Sequence, residues 1–266
     1  MTGREAQPML SSEDADLARM LRRARRAALF DSLSRIYAEF PETTCEGCAR
    51  CCFESPGLFF VEHLRLMDLL AGMSPQHRRT LLERAFGELF FSWIDPERQC
   101  IFLESSRCTI YNDRPLACRL FGLVPPADRD HAEAQARLAA REEARRLRLF
   151  GIEIPEVVVQ RSLASCERVR DRRGRPVRVD GDEIAACVAR LDASLLPQEI
   201  VVQEFCFRSL PERLVAAALG PEAIEGLRVQ LLRRAQRGEA VRDLIQLVLK
   251  QARLPASLRQ KKGRAR

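Results

Sequence analysis

Trp and Tyr are scarce in this 266-residue chain, at one and two, and no aromatic residue lies in its basic last twelve positions. The concentrated positive charge is thus not accompanied by a stacking platform of the kind single-strand nucleic-acid binders use. Histidine is equally rare: His63, His77 and His131 are the only three, and they read as packing or surface residues, although His63 lies near enough to a cysteine run to approach it. No apolar stretch nears the ~18 residues that a membrane-spanning helix needs. The first residues, MTGREAQPMLSSEDAD, carry no basic-then-apolar signal pattern, so the expected location is the cytoplasm. Also lacking are a glycine-rich dinucleotide fingerprint, a P-loop and a nucleophile elbow, which leaves nucleotide-dependent and serine-hydrolase chemistry without a sequence basis. Lysine is rare among the 44 basic residues, and the arginine excess reads as codon bias.

The net charge of +7 is concentrated at one end. Arg259, Lys261, Lys262, Arg264 and Arg266 supply five of the charges, leaving 7 − 5 = +2 for the rest. Nucleic-acid binding is therefore expected only through this tail, if at all. With 46% hydrophobic and 30% charged residues, the chain has the composition of an ordinary globular protein.

What the chain has in abundance is cysteine, ten in all, four of them inside CEGCARCC at 45–52. In a reducing compartment such clustering favours metal binding over disulfides. Cys45, Cys48 and Cys51 have C-x2-C-x2-C spacing, which lets one tight loop aim three thiolates at a single centre, as ferredoxin-like loops do for an iron–sulfur cluster. Zinc sites use C-x2-C as one half and take the second half from elsewhere. Adjacent Cys51 and Cys52 would diverge in extended backbone, which points one of them to another metal or a supporting role. The second half is expected from CIFLESSRCTIYNDRPLACRLFG. There, CIFLE and CTIY form a tight hairpin bearing Cys100 and Cys108, and Pro115 opens a helical turn bearing Cys118. Cys166 is an eighth candidate. Cys187 and Cys206, on helix-like segments, read as core thiols.

The remaining pattern is mainly helical. One helix is expected over about 13–39, with the apolar stripe Leu17, Met20, Leu21, Ala24, Leu29, Leu33 and Ile36. A short strand near 58–61 leads into a helix to Leu70. Ser74 and Pro75 open another helix, and residues 127–149 form an exposed one. Helices follow from 182 to about 253, broken at Pro197, Pro211, Gly220–Pro221 and Gly238. The expected architecture is mainly α: an N-terminal helix (1–40), a small cysteine-rich metal-bound domain with a short β hairpin (41–170), a helical C-terminal region (171–254) and a basic, disordered tail (255–266).

CEGCARCC followed by C-IFLESSR-C-TIYNDRPLA-C-RLFG resembles the CxxCxxCC (YkgJ-like) cysteine-cluster family. Ile110, Tyr111, Arg114, Pro115, Arg119 and Phe121 are in register with that family's second block, and SCERVR around Cys166 resembles its later C-[DE]-R element. The resemblance covers about 41–170. It implies zinc or iron chelation by Cys45, Cys48, Cys51, Cys52, Cys100, Cys108, Cys118 and Cys166. Members are often described as iron–sulfur oxidoreductases, and flagellin lysine-N-methylases carry a similar cluster. The expected function is thus a metal-binding protein with a [4Fe–4S]-type cluster that serves electron transfer or a redox reaction with an unidentified redox or protein partner. The alternatives are a cluster-containing lysine methyltransferase-like enzyme and a non-catalytic zinc-stabilised interaction module. Arg114 and Arg119, flanking Cys118, are candidates to hydrogen-bond a cluster or draw in an anionic substrate. Alternatively, Arg114 caps the turn and pairs with Asp113 or Glu104.

Overall fold

A computed structural model describes residues 12–44, 48–53, 56–94, 99–160, 162, 166, 168–195 and 209–252. Cys45, Cys206, Pro197 and the basic tail lie outside the described residues. Among the described residues the architecture is mainly α, 67% helical, with a single two-stranded antiparallel sheet. The helices are α1 (Ser12–Arg26), α2 (Leu29–Ala38), α3 (Phe60–Gly72), α4 (Pro75–Phe91), α5 (Leu116–Leu120), α6 (Pro126–Arg148), α7 (Glu156–Val159), α8 (Gly181–Leu195), α9 (Leu210–Leu219), α10 (Pro221–Gln236) and α11 (Arg242–Gln251). The strands are β1 (Leu103–Glu104) and β2 (Arg107–Cys108). None of the described helices is long and apolar enough to cross a membrane.

Helix α3 organises the core. It buries Phe60, Val61, Leu64, Leu66, Met67 and Leu70 on two sides, and Arg65 and Asp68 keep a partly exposed strip between partners. Phe60, Val61 and Leu64 pack with Leu21 and Ala24 of α1, Phe30 and Leu33 of α2, and Val188 and Leu195 of α8. Leu66, Met67 and Leu70 join a second cluster built from Leu81, Phe86 and Phe90 of α4, Leu214 and Val215 of α9, and Leu231 of α10. Ile101, Phe102 and Ile110 belong to that second cluster too, so the hairpin is held by its own apolar residues.

Two expectations are corrected. The helix over 13–39 is two helices, because Ala28 takes a left-handed conformation with φ 51° and turns the chain between α1 and α2. The break lets both apolar stripes bury against α3 and α8, whereas one straight rod would carry the second stripe away from them. The strand near 58–61 is absent. Gly57 makes one bridge to Ser209, and Phe59, in extended backbone, already precedes the first turn of α3. An apolar run as short as LFFV carries no periodicity that separates strand from buried helix.

The punctuation of the C-terminal part reads correctly. Pro211 and Pro221 sit in the first turns of α9 and α10, and Gly220 (φ 85°) and Gly238 (φ 68°) end α9 and α10. Ser74 accepts a hydrogen bond from the His77 N–H at 3.2 Å, capping α4. Helix α6 is mostly exposed and is anchored at its C-terminal end, where Leu147 packs with Ile152 and Leu232 and Arg146 pairs with Glu225 at 2.5 Å.

His63, on α3, is buried against Phe60, and its Nδ1 has no hydrogen-bond partner among the described residues. Burial, then the charge of Arg213, lowers its pKa from 6.5 to about 3. The native imidazole is therefore neutral across a range in which the unfolded one takes up a proton. Stability present above pH 6.5 should fall as pH drops towards 3, with a one-proton slope of about 1.4 kcal/mol per pH unit. Denaturant titrations at several pH values should show His63→Leu removing one proton from that slope.

Candidate metal centre

Three local structures bring the cysteines together. The first is the loop before α3. Thr44 donates its N–H to the Arg170 carbonyl at 2.9 Å, fixing the loop's start. Ala49 turns the chain at φ 58°, and Arg50–Phe53 coil into a 3₁₀ turn closed by Cys52 N–H to the Ala49 carbonyl at 2.9 Å. This compact turn overrides the expected divergence of neighbouring thiols: the Cys51 and Cys52 sulfurs are 4.0 Å apart.

The second is the hairpin, with Leu103 opposite Cys108 and Glu104 opposite Arg107. Its two-residue turn is Ser105–Ser106, both left-handed (φ 48° and 62°), as a hairpin turn of this length requires. The hairpin docks against the loop across the 47 intervening residues: Cys100 donates its N–H to the Cys52 carbonyl at 2.6 Å. Arg84 of α4 secures it, donating to the Ile101 carbonyl at 3.1 Å and pairing with Glu104 at 3.0 Å. A serine in left-handed backbone costs about 1–2 kcal/mol, so Ser106→Gly should raise stability by roughly 1 kcal/mol; a shift in the denaturation midpoint checks this.

The third is α5, opened by Pro115 and carrying Cys118 as expected. Its first N–H, on Leu116, donates to Glu62 Oε1 at 2.5 Å. Glu62 is buried on α3. It also accepts from the Phe59 N–H at 2.9 Å and from the Tyr37 hydroxyl of α2. One carboxylate thus joins α2, α3 and the cysteine-bearing α5. Burial raises the pKa of Glu62, opposed by these three donors. Asp192 of α8 plays a parallel part, accepting from the Phe60 and Val61 N–H groups at 2.7 Å each and satisfying the start of α3.

Cys51, Cys52, Cys100, Cys108 and Cys118 all line one small cavity of about 70 Å³, closed on its other sides mainly by Phe102, Leu103, Ile110 and Pro115. The thiol pKa values of Cys52, Cys100, Cys108 and Cys118 move upward. For Cys52 the causes are the contact with Cys51, then burial, then the charges of Cys51, Cys100 and Cys108. Burial comes first for Cys100, pushed up to about 12, and for Cys108 and Cys118, each of which also feels other cysteines of the group. Packed this closely, the sulfurs resist becoming thiolates together unless a cation joins them.

The other candidates lie elsewhere. Cys48 is exposed on the same loop and does not line the cavity. Cys166 does not line it either, and packs against Gly122: a Cβ on Gly122 (φ 80°) would stand 2.8 Å from the Cys166 carbonyl oxygen and 3.1 Å from its Cβ. Among the described residues, no group of three or more His, Cys, Asp or Glu side chains is arranged so that it could hold a metal ion. Cys187, expected in the core, is only half-buried on α8, where its sulfur accepts from Arg190 at 2.9 Å. Arg114 borders the cysteine cavity, lies over the Tyr111 ring at 3.6 Å and donates to the Tyr111 carbonyl at 2.9 Å. It pairs with neither Asp113, which Arg65 takes at 2.9 Å, nor Glu104, which Arg84 takes. Arg119 points to the opposite side of α5, over the Tyr37 ring at 4.2 Å.

The sequence reading missed Glu62 and Asp192. Their signal is an acid within an otherwise apolar helical stretch, as in FFVEHL and ARLDASLL.

Sulfur is the donor that a thiophilic metal prefers, and one pair of these thiols has a separation suited to it. Two thiolates on one tetrahedral ion, with metal–sulfur bonds of about 2.3 Å, stand about 3.8 Å apart, close to the Cys51–Cys52 separation. Residues 44–143 match the model of the CxxCxxCC family, described as a "Putative zinc- or iron-chelating domain". The match covers 100 of the 266 residues, and metal binding is the property that it supports. No match was found among curated proteins or among solved structures.

Proposed function

We propose that the cysteine cavity holds an iron–sulfur cluster of the [4Fe–4S] type and that the protein works in electron transfer or a redox reaction. The observation that carries this reading is five thiols around one largely apolar cavity. One tetrahedral ion takes four ligands, whereas this cavity, with Cys48 on the adjoining loop, offers a surplus. Cys51, Cys52, Cys100, Cys108 and Cys118 are the proposed ligand pool, with Cys45, Cys48 and Cys166 as further candidates. When bound, such a cluster supplies one-electron chemistry, at a potential set by its surroundings. The protein's part is to hold the sulfurs, exclude water with Phe102, Leu103 and Ile110, and place the positive charge of Arg114 beside the thiolates. A partner protein that donates or accepts the electron completes the function.

A single zinc ion is the second reading, favoured by the 4.0 Å spacing of Cys51 and Cys52. Purification without oxygen, followed by iron, zinc and acid-labile sulfide analysis, separates the two. Brown protein with iron and sulfide in equal amounts supports the cluster. Colourless protein with one zinc per chain and no sulfide supports the zinc module and removes the redox role.

A further inference from the structure

On the other side of α5 lies a cavity of about 240 Å³, lined in part by Tyr37, Glu62, Arg65, Asp113, Arg114 and Arg119. Its charges do not cancel. Asp113 is matched by Arg65, whose Nε and Nη2 reach it at 3.1 and 2.9 Å. Both oxygens of Glu62 are occupied by the Tyr37 hydroxyl and the N–H groups of Phe59 and Leu116. Counting Arg65, Arg114 and Arg119 against Asp113 and Glu62, the lining carries one positive charge in excess, and the guanidinium groups of Arg114 and Arg119 are the two without a direct carboxylate contact. Arg119 donates Nε to the Arg114 carbonyl at 2.8 Å and Nη2 to the Asn112 carbonyl, and stacks on Tyr37. Arg114 stacks on Tyr111 and donates to its carbonyl. Backbone acceptors and ring faces fix these guanidinium planes without neutralising them. Among the described residues, neither arginine has a carboxylate partner. Glu62 and Asp113 offset part of this charge through space, the excess still favours an anion, and a planar fork of N–H donors suits a carboxylate or phosphate.

We propose that this cavity is a binding site for the oxyanion group of a small molecule, a carboxylate or a phosphate, held by Arg114 and Arg119. Its volume lies below the ~300 Å³ at which pockets for drug-sized ligands begin, which suits a small metabolite. Arg114 and Pro115 border both this cavity and the cysteine cavity, so the bound anion lies one side chain away from the thiols. The inference rests on the proposed metal centre for the site's role as a substrate pocket, and not for the binding itself.

The test is calorimetric titration of the full-length protein, purified without oxygen, with inorganic phosphate and separately with succinate at constant ionic strength. Saturable binding of at least one is expected. The loss of one charged hydrogen-bonding partner should weaken it about tenfold or more in Arg119→Gln and in Arg114→Gln. Arg119→Lys, which keeps the charge without the fork, should bind more weakly than wild type and more tightly than Arg119→Gln. Ser34→Trp, at another wall of the same cavity, narrows it without touching a charge and should also weaken binding. Failure of both anions to saturate overturns the site, as does wild-type affinity in Arg119→Gln. Metal per chain, measured on the same samples, keeps the two proposals apart. Metal-free protein that binds phosphate supports the anion site and removes the metal centre, whereas metal-loaded protein that binds neither anion overturns the anion site alone.

Discussion

Replacing Glu62 with alanine should cost more stability than any other single substitution on α3. The carboxylate accepts from the Tyr37 hydroxyl and from the N–H groups of Phe59 and Leu116. Alanine strands all three donors in a buried place, at about 1–3 kcal/mol for each. The sum is a large fraction of the 5–15 kcal/mol that typically holds a domain together. The effect should also reach the thiols, because Leu116 opens the helix that carries Cys118. A chemical denaturation midpoint, together with metal per chain, measures both. Glu62→Gln keeps one acceptor oxygen and should fall between wild type and Glu62→Ala. A Glu62→Ala midpoint equal to wild type would mean that the link between α2, α3 and α5 carries no energy.

Substitution of the thiols should divide the cysteines sharply. Cys51→Ser, Cys100→Ser and Cys118→Ser each remove a sulfur from the shared cavity and should lower metal affinity by more than about 100-fold, since even partners behind the ligands are worth 10–100-fold. Cys187→Ser should leave metal content unchanged, because Cys187 sits on α8 with its sulfur towards Arg190. Metal removal with a chelator should lower thermal stability, since binding energy at such sites is folding energy. Metal content at the wild-type level in all three cavity variants, with loss in Cys187→Ser, would reverse the assignment.

Local signals made the cysteine elements legible. The hairpin reads from two short apolar runs around Ser105–Ser106, and the Cys118 helix reads from Pro115, because turn chemistry acts over a few residues. The docking of the hairpin onto the loop could be argued from the need for further ligands, and the Cys100–Cys52 backbone bond now spans the 47 residues between them. The break at Ala28 was hidden because alanine normally favours helix, and burial of both apolar stripes overrode that preference. Cys51 and Cys52 were misjudged because the divergence rule for neighbours assumes extended backbone, and Arg50–Phe53 is a 3₁₀ turn. Asp192 satisfies the start of α3 from 131 and 132 residues away, a pairing that no local pattern encodes. For Arg114, adjacency suggested Asp113 or Glu104 as a partner. The fold gives those acids to Arg65 and Arg84 instead.

X-ray absorption at the iron and zinc edges of protein purified without oxygen tests the central claim most directly. The account predicts a metal edge whose nearest shell is sulfur, four neighbours at about 2.3 Å, with an iron–iron distance beyond it if the cluster is present. A first shell made only of nitrogen or oxygen, or the absence of any bound metal in protein with all ten thiols reduced, would contradict it.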